Sequence, residues 1–160
     1  MSQTQQIANQ FREVHLKGDW VAGTNLKDQL TDLTWQQATT KIGSLNTIAA
    51  LAFHLNYYIA GLVQVFEGGP LTIRDKYSFD GPPIQSQADW EQLLTKTWSD
   101  AEKFADLIAQ MPDAQLKTAF IDAKYGNYEK NIHAMIEHVY YHLGQIVLLK
   151  KLIISTSLSS

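Results

Sequence analysis

Apolar residues recur at helical spacing in four separate stretches of this chain, and no run alternates apolar and polar residues convincingly enough to make a strand. The first stretch runs from about Ser2 to Lys17, with Ile7, Phe11 and Val14 on one face and Gly18 as its stop. The second, Leu45 to Phe66, carries Ile48, Ala52, Leu55, Ile59, Leu62 and Phe66, and Gly68-Gly69-Pro70 ends it. The third, Gln87 to Gln110, opens on Ser86 and Asp89, a capping box with aspartate in place of glutamate, and closes before Pro112. The fourth, Tyr128 to Ile153, is capped by Asn127 and has Met135, Val139, Leu143, Ile146 and Leu149 as its core line. Leu116–Ile121 is the nearest approach to a strand. Four amphipathic helices in 160 residues predict an all-α four-helix bundle.

The joints between helices constrain how the bundle is wound. Residues 18–44 and 67–86 are long for helix–helix connections. Connections of that length can cross the bundle, so successive helices need not be antiparallel neighbours. The first holds Trp20, Trp35 and a short helical piece near Asn25–Leu30; the second holds Tyr77, Phe79, Pro82 and Pro83 and is stiff rather than flexible. Residues 1–154 read as a single domain and 155–160 as a frayed tail.

Composition removes several classes of function. There is no cysteine, hence no disulfide, thiolate ligand or cysteine nucleophile, which fits a cytoplasmic setting. The first twenty residues lack the basic and apolar regions of a signal peptide. No apolar run reaches the roughly 20 residues that span a bilayer, so no membrane association is expected. The formal charge of −3 comes without a basic stripe, which argues against nucleic acid. Lys150-Lys151 lies where a helix C-terminus attracts cations.

Among the five histidines, His138 and His142 stand four apart and therefore share one helical face beside the core line. His54 lies at the edge of the second helix's apolar face, between Leu51 and Tyr58. A buried imidazole needs a partner for each ring nitrogen. One metal ion would meet that need for all three, whereas ordinary core histidines would each find a carbonyl or hydroxyl; spacing alone leaves both readings open. His133 is five before His138 and points elsewhere, and His15, beside Lys17 at a helix end, reads as a surface residue. The paired Glu-x-x-His of di-iron bundles and the His-Glu-x-x-His of zincins are both absent.

These residues resemble the DinB/YfiT-like family of metal-dependent bundles. That family has one histidine on its second helix and a His-x-x-x-His pair on its fourth. Here these are His54 in Leu-Ala-Phe-His-Leu-Asn-Tyr-Tyr, and His138 with His142 in Met-Ile-Glu-His-Val-Tyr-Tyr-His-Leu-Gly-Gln-Ile. The stretch Tyr77–Ile84 followed by Asp89-Trp90 is similar to members of the same group. The resemblance implies a bundle with non-trivial helix order, a homodimer, and a divalent metal on three histidines with open positions for water or substrate. It also implies, through some relatives, transfer or hydrolysis involving low-molecular-weight thiols.

Three neutral imidazoles would leave a 2+ ion its full charge, and three protein ligands plus an open position is the catalytic rather than the structural pattern. Imidazole suits several metals; zinc or nickel is expected first and iron next. Glu137, Asn56, Tyr58, Tyr141 and Gln145 are the candidates for orienting the ligands, and Trp20, Trp35, Tyr77 and Phe79 for walling the pocket. No catalytic side chain beyond the ligands is identifiable, and the small-molecule substrate is unspecified. The competing reading is a non-enzymatic metal-binding or structural dimeric bundle.

Overall fold

The computed structural model describes residues 1–158, and among them it is helical throughout, with a lone bridge between Ala119 and Asn127. Four long helices make the bundle: α1 (Gln3–His15), α4 (Ile48–Phe66), α5 (Gln87–Gln110) and α6 (Tyr128–Leu158). Two short ones, α2 (Leu26–Thr31) and α3 (Trp35–Ala38), lie in the first connection. Each start is set by a polar cap: Ser2 with Gln5 forms a full capping box on α1, and Thr47 takes the Ala50 N–H of α4. Thr47 therefore opens α4 three residues after Leu45, the expected start. Ser86 accepts from Asp89 N–H, but the Asp89 carboxylate reaches past the cap to the Gln85 N–H. Asn127 caps α6 by accepting from the Lys130 N–H. The segment around Leu116 forms a 3₁₀ turn over Asp113–Lys117 rather than a strand. Helix α6 continues through Ser155 to Leu158, where the sequence suggests a frayed end; Ser159 and Ser160 lie outside the described residues.

Side-chain pairings fix the winding. The start of α1 meets the end of α5, since Asp113 accepts from the Gln3 and Thr4 N–H groups, and Arg12 pairs with Asp106. Gln3 also reaches Glu129 at the start of α6, so α1 and α6 run together. Phe66 at the end of α4 packs on Tyr128 while His54 meets His138, so α4 and α6 are antiparallel. Phe66 also packs on Phe104 while Asn56 bonds Asp100, so α4 and α5 run parallel. The long helices thus go up, down, down, up. Helix α1 packs on α5 and α6, and so does α4, which places α1 diagonally across from α4.

Parallel neighbours need a return along the bundle, and residues 67–86 provide it as a strap over α4 and α5. The 16–47 connection crosses the other end. Trp90 is fully buried and its indole N–H donates to the Leu33 carbonyl, and Lys150 binds the Gln29 carbonyl and Asp32. The core is continuous from Ile7 and Phe11 through Leu55, Ile59 and Phe104 to Ile136 and Ile146. Helix α4 is long and apolar enough to cross a membrane by length and composition, but 61% of its apolar window is buried inside the bundle. It is one of the four long helices that share the core.

Candidate metal centre

The antiparallel pair α4 and α6 brings one histidine from α4 against two from α6. His138 and His142 share a face because they are one helical turn apart, and His54 arrives from the facing helix. The His54 Nε2 lies 3.1 Å from His138 Nε2, and His142 Nε2 lies 3.0 Å from the same atom. One ring nitrogen from each histidine falls within 4.8 Å of the others, forming a group that could hold a metal ion. His54 and His142 are each 7% exposed, and His138 is half-buried, so the cluster opens toward solvent on its His138 side.

This arrangement does not satisfy itself. A ring nitrogen has one in-plane position, holding either a proton or a lone pair. His138 Nε2 faces two other Nε2 atoms and can complete a linear hydrogen bond with only one of them. The Nδ1 of His142 is 2.6 Å from the Gln145 Oε1. With Gln145 accepting, the His142 proton sits on Nδ1 and its Nε2 lone pair points into the cluster. Burial then pushes His54 below the ordinary histidine range, helped by the neighbouring His142 and opposed by the Ser78 backbone and Asp75. His138 is lowered to about 4, by burial first and then by His142 and His54. Neutral imidazoles with converging lone pairs are the donor set of a divalent cation. Tetrahedral ligands at about 2.0–2.1 Å would stand about 3.3 Å apart, close to the spacings here.

The surroundings hold the rings in place. Phe79, from the strap, stacks on His54 with ring centres 4.1 Å apart and planes at 10°. Tyr58 sets its edge against both His54 and His138, and its hydroxyl donates to Asp75 at 2.9 Å. Tyr141 lies edge-on to His142 and is 66% exposed. The His54 Nδ1 is buried without a full hydrogen bond, although the Ser78 backbone is near.

Of the residues singled out in the sequence, His54, His138, His142, Tyr58, Tyr141 and Gln145 come together. Glu137 is exposed, and Asn56 turns to α5, donating its amide N–H to Asp100. Phe79 is at the cluster and Tyr77 is exposed nearby on the strap. Trp35 packs on the core, whereas Trp20 is 86% exposed. Asp75 and Ser78 were not anticipated; nothing local in the sequence marks which strap residues meet α4. His15 is a correction. It is 0% exposed, not a surface residue, because it follows Phe11 by four and lies stacked on that ring inside the bundle.

An up-down-down-up bundle with a three-histidine cluster between its second and fourth long helices defines a class of helical bundles with a histidine group that could hold a metal ion. A family model, the DinB superfamily, matches residues 22–146, and the chain belongs to that superfamily. No curated protein and no solved structure matches the chain.

Proposed function

We propose that this protein binds one divalent metal ion on His54, His138 and His142 and uses it as an enzyme acting on a small thiol, by transfer or hydrolysis. The observation that carries the reading is the meeting of three Nε2 atoms that cannot satisfy one another. A divalent ion on three neutral imidazoles supplies Lewis acidity, enough to lower the pKa of a thiol or water brought to it. The chain's own residues do the rest. Gln145 fixes the His142 tautomer so that Nε2 faces inward. Phe79 and Tyr58 hold the His54 and His138 rings and keep water from their buried sides. The half-buried side of His138 leaves an approach for substrate. No glutamate neighbours the pair in the place a metallohydrolase base would take, since Val139 follows His138. A thiol needs no such base once its proton has been displaced, which favours thiol chemistry over attack by water.

A homodimer is part of the same proposal. Tyr141, Leu148 and Leu152 leave an apolar stripe on the outward side of α6, at 66%, 59% and 40% exposure. Light scattering checks it, and a monomer ends that part of the reading.

Elemental analysis of protein purified without a nickel column tests the centre. The expected result is about one divalent ion per chain, with zinc or nickel ahead of iron, and none in His54→Ala. Equal metal in both proteins overturns the centre. Metal-loaded protein that consumes no low-molecular-weight thiol in the presence of an electrophilic co-substrate overturns the thiol reading while leaving the centre intact.

A further inference from the structure

The strap encloses a second compartment that none of the three histidines lines. A cavity of about 870 Å³ lies between α4, α5 and residues 72–84, within the roughly 300–1,000 Å³ range of small-molecule sites. Its floor is the face of α4 carrying Ala49, Ala50, Phe53, Tyr57 and Ala60, and its roof includes Ile73, Phe79, Pro82, Pro83 and Ile84. Phe79 is the wall shared with the metal centre, since it also stacks on His54.

The roof is fastened on both sides and has not collapsed onto the floor. Tyr57 donates its hydroxyl proton to the Arg74 carbonyl and accepts from the Arg74 N–H. A Cβ on Gly61 would collide with the Ile73 side chain, and one on Gly81 would come within 2.7 Å of the Phe53 ring, so both glycines allow close seating of the strap. A space kept open by such fixed contacts is preorganised, which lowers the entropic cost of filling it.

The polar groups around it say what it would take. Thr72 is bonded to Gln64, the Thr47 hydroxyl caps α4, and the Asp89 carboxylate holds the Gln85 N–H. Lys96 is paired with Asp100 at 2.6 Å. The charges on this rim are therefore already engaged and do not call for a charged ligand. Asn56 is different: it is 4% exposed, donates its Nδ2 to Asp100, and has an Oδ1 that accepts from nothing. An unpaired buried acceptor is costly and is relieved by a donor. Asn56 is itself one of the residues lining the cavity.

We infer that the space beneath the strap is a binding site, separate from the metal centre, for an uncharged and mainly apolar small molecule bearing an N–H or O–H donor, anchored at Asn56. The probe for it is N-phenyl-α-naphthylamine, which is uncharged, carries one N–H and fluoresces more strongly in apolar surroundings. It is titrated into the full chain beside its N-methyl derivative, which lacks the donor, and its sulfonated analogue, which is anionic. Saturable binding is expected for the parent compound, weakened about tenfold by N-methylation, with the sulfonate weaker as well. Ala60→Trp and Ala50→Trp fill the floor from two positions, and each should abolish binding while metal content stays unchanged. Absence of saturable binding overturns the site, as does binding that survives in both folded tryptophan variants. Equal affinity for the N-methyl derivative overturns the anchoring at Asn56, and tighter binding of the sulfonate overturns the ligand class. The paired-compound comparison needs no variant, so it stands even if a tryptophan variant fails to fold.

Discussion

His15 and two members of the histidine cluster, His54 and His142, have the same side chain and nearly the same burial, but different neighbours. His15 is fully buried and stacked on Phe11, and neither ring nitrogen has a hydrogen-bond partner. His54 and His142 are almost as buried, yet their Nε2 atoms converge with that of His138 on one point. Burial lowers His15 to about 3 and His138 to about 4. Perturbed titration therefore does not separate a site from a packing residue; convergence of lone pairs does. The isolated imidazole costs stability, whereas the clustered ones form a group that could hold a cation.

The largest expected effect breaks that comparison directly. His142→Ala should lose the metal altogether, while His15→Leu should retain about one ion per chain, as read by elemental analysis. Metal loss in His15→Leu would place His15 in the centre with the other three histidines. Next in size is Gln145→Leu, which frees the His142 tautomer and should weaken metal affinity about 10–100-fold in a chelator competition. An unchanged affinity would mean that Gln145 does not set that tautomer. The third effect is on the packing side. His15→Leu removes two unpaired buried nitrogens and should stabilise the metal-free protein by about 1–3 kcal/mol in urea unfolding at neutral pH. A destabilised variant would show that His15 has a partner in solution.

The last effect is one of slope. The folded His15 takes up a proton near 3, whereas an unfolded histidine does so near 6.5. The unfolded chain thus binds more protons between those values, and stability is lost as pH falls from about 6.5 toward 3. His15→Leu should flatten part of that fall in metal-free protein. Parallel slopes for variant and wild type would remove His15 from the acid response.

The helices were legible because each carries its own signals. The periodicity and the caps at Ser86 and Asn127 lie within a few residues of the ends they set. The His138–His142 pair was legible for the same local reason, and His54 needed the family resemblance to join it. The position of His15 was available in its spacing from Phe11, but the adjacent Lys17 and Gly18 gave the look of a solvent-facing helix end. What could not be read was which strap residue meets which helix face. Tyr58 finding Asp75, Phe79 covering His54 and Asn56 turning to α5 all follow from α4 and α5 running parallel. No short-range pattern encodes that choice, because it is made by packing across the whole bundle.

The meeting of His54 with His138 has a covalent-like consequence for a chain without cysteine. The two residues are 84 apart in sequence, on the second and fourth long helices. An ion held between them would act as a cross-link, closing a loop as a disulfide would and restricting the unfolded chain by an amount of order 4 kcal/mol. The bonds proposed to hold that ion would then also staple the first half of the protein to the second.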